Sequence, residues 1–155
     1  MNYVNAVVVQ GHQVASGRSS EDRRFPGGTI RAQAPHFAAR GCDLAAEIGP
    51  TVFFGTLNLA IVGAVVRIAK PEYVFQQVKW TDVFPPENFF LSPANVGFEG
   101  RKHRALLYIP DPVTKPDHAQ ASNVLEVIAE AVLGIVYGSR VVLGYNPCAI
   151  ELSPP

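Results

Sequence analysis

The sequence predicts a single domain, residues 1–155, of the mainly β (α+β) class: a small barrel with one or two short helices. Its 155 residues include 13 glycines and 13 prolines. Both residues interrupt regular helices, because glycine loses the most backbone entropy and proline lacks an N–H group. A long helical bundle is therefore excluded, while a hydrophobic fraction of 48% is enough for a core. Short β-branched runs with Gly- and Pro-containing connections are typical of barrels.

The N-terminal third predicts a strand, a long loop and an interrupted helix. Asn5–Gln10 is rich in β-branched residues and ends at Gly11, as a buried strand would. The polar stretch Gly17–Gly28 predicts a loop, and loops of this length in small domains are usually functional or mobile. Ala32–Ile48 is rich in alanine and predicts a helix that breaks near Gly41.

The middle of the chain predicts three more strands. Thr51–Phe54 and Thr56–Ile68 are β-branched and aromatic, and Gly55 and Gly63 are expected to form bends or bulges within them. Tyr73–Trp80 has the same character and is expected to form the next strand.

The C-terminal half mixes clear and ambiguous signals. Phe84–Asn95 carries three prolines and predicts an irregular segment, whereas Phe98–Ile109 predicts a hairpin. Val124–Ile128 is too short for periodicity to separate a strand from a helix. We expect a short helix at Ala129–Val136 and a last strand at Arg140–Tyr145, followed by a proline-ended tail.

The charge balance, the apolar stretches and the cysteines limit the expected classes of binding partner, metal site and disulfide. The 13 basic and 13 acidic residues cancel, so nucleic acid is not an expected partner. The longest apolar stretch, Leu57–Val66, is shorter than the ~18–20 residues of a membrane span, and no signal peptide is evident. We therefore expect no membrane association and a cytoplasmic location. Cys42 and Cys148 match no metal spacing; we expect two buried or half-buried free thiols, with a disulfide as the alternative.

The first candidate site is Gly11–Gly17, directly after the first predicted strand. Glycines beside a small hydroxyl residue let backbone N–H groups approach a ligand closely, which suits phosphate. The segment lacks the Lys-Ser/Thr end of a P-loop and does not fit GxGxxG. A strand that simply ends in a bend is the alternative.

The second candidate site is Gly55–Leu59, with the sequence GTLNL. In a strand, Thr56 and Asn58 point to the same face. Two neutral oxygen ligands beside a glycine bend suit a hard cation such as Mg²⁺ that also carries waters and phosphate oxygens. The alternative is a hydrogen-bonding pair on a solvated face.

Other charged residues give weaker signals. Glu126 lies among aliphatic residues and could act as a general base or bind a hydroxyl. His103 is expected in a solvated hairpin, with a phosphate-binding patch as the alternative. Arg18, Arg23 and Arg24 could bind phosphate or carboxylate, or could belong to a solvated loop.

Three segments in the same order resemble the archaeal CTP-dependent riboflavin kinases. They are VASG at Val14–Gly17, GTLNL at Gly55–Leu59, and QASNVLEVIA at Gln120–Ala129. The GTLN segment, preceded by Gly49 and Pro50, is the most specific of the three. Together they span most of the chain.

This resemblance implies a six-stranded barrel of the cradle-loop type and a magnesium-dependent phosphotransferase that uses a nucleoside triphosphate, in the family CTP, and a small-molecule acceptor, riboflavin. The residues it implies are Val14, Ser16, Gly17, Arg18 and Gly55 for the nucleotide, Ser122, Asn123 and Glu126 for the substrate, Thr56 and Asn58 for Mg²⁺, and Glu126 for catalysis. The reaction would proceed mainly by positioning and charge neutralisation.

The chain departs from the family after Ser16-Gly17, where bulky charged residues replace the family's G-E-G. Two alternatives therefore stay open. One is a non-catalytic ligand-binding or oligomeric protein on the same barrel. The other is a different enzyme that acts on an anionic metabolite held by the loop arginines and Arg101. The substrate and the oligomeric state are not determined by the sequence.

Overall fold

A computed structural model describes residues 1–11, 25, 27–114 and 121–155. These residues form nine strands and two helices. The strands are β1 (Asn2–Val9), β2 (Leu57–Ile61), β3 (Val65–Ile68), β4 (Tyr73–Val78), β5 (Glu87–Phe98), β6 (Arg101–Pro110), β7 (Val124–Ala129), β8 (Arg140–Tyr145) and β9 (Ile150–Ser153). The helices are α1 (Thr29–Ala39) and α2 (Leu44–Ile48).

Six antiparallel strands close into a barrel in the order β5-β6-β7-β2-β1-β8, because β8 pairs back onto β5. β4 pairs with the first half of β5 outside this ring, and β3 pairs with β9 in a separate two-stranded sheet. The mainly β class, the six-stranded barrel and the two short helices are therefore confirmed. The interruption of the helix at Gly41, where φ is +104°, is confirmed as well.

The barrel wall separates two hydrophobic cores. The core inside the barrel is formed by alternate residues of the six strands, such as Leu59, Leu107 and Val127. The second core lies between the helices and the outer faces of β4 to β7, with Phe37 of α1 and Leu44 of α2 among its members. Because side chains alternate along a strand, each barrel strand can serve both cores.

The irregular segment predicted for Phe84–Asn95 is wrong, because residues 87–98 form the long strand β5. Pro93 lies where one edge of β5 changes partner, since Leu91 pairs with β4 and Ala94 pairs with β8. A proline without an N–H group is tolerated best at such an interruption. The predicted hairpin is confirmed: Glu99 and Gly100 connect β5 to β6, both with positive φ, as a tight hairpin turn requires.

Three other predictions are corrected. Ala129–Val136 is not a helix; β7 extends to Ala129, and Leu133 is 95% exposed, so no buried helical face exists there. Thr51–Phe54 is not a strand, since only Val52 makes an isolated bridge, to Glu130. The proline-ended tail contains a strand, β9.

Both cysteines are free thiols, so the alternative of a disulfide is not realised. Cys42 is buried in the second core, and burial raises the pKa of its thiol to about 12, so it stays protonated. Cys148 is exposed, which corrects the expectation that it is buried or half-buried. Among the described residues, no helix is long and apolar enough to cross a membrane.

Candidate functional site

The GTLN segment and Glu126 meet on the outer face of the barrel. Asn58 of β2 pairs directly with Glu126 of β7, and Thr56 precedes β2 on the same face. The Thr56 hydroxyl donates a hydrogen bond to Glu126 Oε1 at 3.1 Å. The side chains of both strands that point into the barrel are aliphatic. Because side chains alternate between the two faces of a strand, these three polar side chains point outward. The structure thus brings the predicted metal and catalytic residues together.

Gly11 packs against Asn58 where the chain leaves β1. A Cβ atom added to Gly11 would lie 2.2–2.7 Å from three atoms of the Asn58 side chain, so only glycine fits without a shift. Asn58 is 8% exposed. Gly11 is the last described residue before the predicted nucleotide loop, so this loop departs from a point beside the predicted metal ligand.

A buried tyrosine borders the cluster on the next strand. Tyr108 of β6 pairs with Glu126, and its hydroxyl donates to Gln33 Oε1 of α1 at 2.7 Å. Burial raises the pKa of Tyr108 well above its ordinary value, and the negative charges of Glu126 and Glu87 add to this effect. The hydroxyl therefore stays protonated, and α1 is tied to the wall that carries Glu126.

A cavity of about 410 Å³ adjoins the cluster at one end of the barrel. Thr56 and Asn58 line it on one side, and its other walls are mainly aliphatic. Phe53 and Tyr137, which are 41% and 55% exposed, add aromatic rings to the lining. Its volume falls in the usual range for small-molecule sites, roughly 300–1,000 Å³.

The connection between β7 and β8 forms one side of this cavity. Ile135 is half-buried against the inner core, whereas the following Val136 is 65% exposed at the cavity wall. The connection is held to the strands by hydrogen bonds, since Gly138 N donates to Val8 O at 2.7 Å and Val8 N donates to Ser139 O at 2.9 Å. It therefore places an apolar surface beside the polar cluster.

The oxygen atoms of the cluster fit a magnesium ion chemically. Thr56 supplies a hydroxyl, Asn58 an amide oxygen and Glu126 a carboxylate, and hard cations prefer such ligands. Because the Thr56 hydroxyl donates its hydrogen bond to Glu126, its oxygen lone pairs remain available. In the part of the chain that the structure describes, no three His, Cys, Asp or Glu residues group as a metal site. A cation at this cluster would be held by Thr56 and Asn58 together with Glu126.

Other predicted site residues are placed elsewhere or cannot be placed. Ser122 and Asn123 accept backbone hydrogen bonds from Val66 and Ile61, at the end of β2 opposite Thr56. Asn123 lies beside Ile61, which is five residues along the chain from Thr56. The distance between Asn123 and Thr56 along the strand is therefore roughly 16 Å. The predicted nucleotide residues Val14, Ser16, Gly17 and Arg18, together with Arg23 and Arg24, lie outside the described residues, whereas Gly55 lies in the bend before β2 and lines the cavity.

Arg31 is a candidate that sequence reasoning missed. Its guanidinium carbon lies 4.2 Å above the centre of the Phe54 ring, two residues before Thr56. This cation–π contact places a positive charge beside the GTLN segment. No local pattern signals the contact, because Arg31 is on α1 and Phe54 follows α2.

His103 is also placed differently from the prediction. It is 8% exposed rather than solvated, and its Nδ1 lies 2.7 Å from Glu130 Oε1. The pKa of Glu130 is lowered chiefly by this hydrogen bond, with smaller contributions from Thr51 and Arg101. No sequence pattern singles out Glu130, which lies in the segment Ala129–Val136 that the sequence predicts as a short helix.

No protein-family model matches the sequence, and no curated protein matches it.

Proposed function

We propose that this protein is a magnesium-dependent small-molecule phosphotransferase of the CTP-dependent riboflavin kinase type. It would transfer the γ-phosphoryl group of a nucleoside triphosphate to a hydroxyl of riboflavin. The observation that carries this proposal is the convergence of Thr56, Asn58 and Glu126 on one face of the barrel, where Thr56 and Asn58 line an apolar cavity and Gly11 packs against Asn58.

Each residue of the cluster has a distinct part in this reaction. Thr56 and Asn58 would hold Mg²⁺, which neutralises phosphate charge when it is bound. The acceptor oxygen attacks the γ-phosphorus, the bond to the bridging oxygen of the diphosphate breaks, and the acceptor proton passes to Glu126. Glu126 is half-buried and accepts a hydrogen bond from the Thr56 hydroxyl, so its carboxylate has a defined orientation.

The neighbouring surfaces suit the two substrates. The aliphatic and aromatic lining of the 410 Å³ cavity favours a flat aromatic ring system such as a flavin. Arg31, held over Phe54, supplies a cation near the expected phosphate position. Gly11 allows the chain to pass close to Asn58 where it leaves β1.

The direct test incubates the full chain with riboflavin, Mg²⁺ and each of CTP, ATP, GTP and UTP, and measures FMN by chromatography. We expect FMN with at least one donor, and a loss of about 100-fold in the Asn58→Ala and Thr56→Val variants, because a metal ligand is removed. Asn5→Ala is the matched control, since Asn5 is an exposed asparagine on the outer face of β1. Thermal unfolding of each variant shows whether the fold is kept.

The outcomes separate the alternatives. An absence of FMN with all four donors would contradict the kinase proposal. Calorimetry then decides whether riboflavin still binds. Binding that is unchanged in Asn58→Ala would favour the non-catalytic ligand-binding protein, for which the replacement of the family's G-E-G by charged residues is the supporting observation.

A further inference from the structure

The pair formed by His103 and Glu130 lies at the same end of the barrel but outside the cluster described above. His103 is on β6, on the same side of the strand as Ala105 and Leu107, which face the inner core. Its Nδ1 donates to Glu130 Oε1 at 2.7 Å, and the second carboxylate oxygen accepts from the Thr51 hydroxyl at 3.3 Å. A carboxylate bound in this way fixes the imidazole ring and directs Nε2 away from itself.

Two groups of this region are not held by hydrogen bonds in the described part of the chain, although the charge of Arg101 acts on the Glu130 carboxylate. Neither Nε2 of His103 nor the guanidinium of Arg101 makes a hydrogen bond to another described residue. No buried side-chain nitrogen or oxygen among these residues lacks a partner, so Nε2 must be accessible to solvent. Both residues line a cavity of about 290 Å³, whose other walls include Phe98 and Leu133.

We propose that this cavity is a binding site for a small oxyanion, a phosphate or carboxylate group, with His103 Nε2–H and the Arg101 guanidinium as its donors. A guanidinium forms charge-assisted hydrogen bonds to an anion, and an imidazole N–H on the same cavity adds a second donor. Glu130 holds the imidazole in place. Both of its carboxylate oxygens accept hydrogen bonds, Oε1 from His103 and Oε2 from Thr51. The remaining charged group on the cavity is Glu99, which is exposed in the hairpin turn.

This site does not depend on the proposed phosphotransferase activity. It uses neither Thr56, Asn58 nor Glu126, and the two cavities share only the wall at Glu130 and Ala131. The volume of 290 Å³ limits the ligand to a small molecule.

The test measures binding of inorganic phosphate and, separately, acetate to the full chain by calorimetry in low-salt buffer. We expect saturable binding of at least one of the two anions. Arg101→Gln and His103→Gln should each lower the affinity about tenfold or more. Lys102→Gln is the matched control, because Lys102 is adjacent on β6 but contacts Tyr3 on the outer face.

Comparison of the two anions shows whether phosphate or carboxylate is preferred. Absence of saturable binding of both anions, or equal losses in Arg101→Gln and Lys102→Gln, would overturn the proposal. Because His103→Gln could disturb the barrel end, the exposed Arg101 provides the decisive variant. A negative FMN assay with positive anion binding would contradict only the phosphotransferase, and the reverse result only this site.

Discussion

The two sides of the barrel wall differ in the side chains that they bury. The inner core is almost entirely aliphatic, and Tyr145 is its one aromatic member among the buried residues described. The second core, on the outer side of the wall and called the outer core from here on, contains Phe37, Phe89, Trp80 and Tyr108. Buried polar groups lie beside it. A closed barrel leaves little room for a polar group that needs a partner, whereas a wall covered by helices and loops can supply one.

Hydrogen bonds in the outer core illustrate the difference. Trp80 Nε1 donates to Glu87 Oε2 at 2.6 Å, and Tyr108 donates to Gln33. The Thr56–Asn58–Glu126 cluster lies on this outer side as well. We infer that segments outside the barrel orient these polar side chains, while the aliphatic core inside the barrel serves closure and stability. His103, at one end of the barrel, is a buried polar side chain on the inner side.

The largest expected effect comes from removing the central ring of the outer core. Phe37 is fully buried and contacts Phe89 at 5.1 Å and Phe75 at 5.9 Å between ring centres. Phe37→Ala should lower the free energy of unfolding by about 3–5 kcal/mol, because it leaves a cavity under α1. Urea denaturation measures this, and Leu133→Ala, at a residue 95% exposed, should change it little. A loss below about 1 kcal/mol would contradict a well-packed outer core.

A smaller effect is expected from a single buried hydroxyl. Tyr108→Phe removes the hydrogen bond to Gln33, which is 2% exposed. The free energy of unfolding should fall by about 1–2 kcal/mol, since a buried amide oxygen loses its donor. Tyr3→Phe is the control, because Tyr3 is exposed and its hydroxyl accepts a hydrogen bond from Lys102 at the surface. Equal effects of the two variants would show that the outer core does not depend on its polar groups.

The smallest expected effect concerns the barrel end, where Glu130 has a lowered pKa because of His103. The folded state binds its proton less readily than the unfolded state. Glu130 therefore contributes stability above its ordinary pKa, near 4.5, and this contribution is lost as the pH falls through the lower native value. Its size should be below about 1 kcal/mol, since the carboxylate is partly exposed.

Urea denaturation between about pH 3 and pH 7 tests this contribution. The stability difference between the natural chain and Glu130→Gln should be positive at neutral pH and shrink under acid conditions. Glu99→Gln, in the exposed hairpin turn, serves as the control. A difference that stays constant over this pH range would show that the pairing with His103 does not favour the carboxylate.

Sequence reasoning succeeded where local patterns determine the structure. The alternation around Asn58 and the run around Glu126 predicted correctly which side chains share a face once both segments are strands. It failed for β5, because three prolines in Phe84–Asn95 suggested an irregular segment. Two of them precede the strand, and the third lies where β5 changes partners.

The amino-acid sequence by itself determined the β-rich class, the break near Gly41, the hairpin at Gly100 and the pairing of Thr56 with Asn58 on one face. These depend on residues close together in the chain, where backbone preferences and side-chain alternation act directly. The tertiary structure alone decided that Glu126 meets Thr56, that Gly11 packs on Asn58, and that His103 is buried against Glu130. Those contacts join distant segments, so they depend on how the barrel closes.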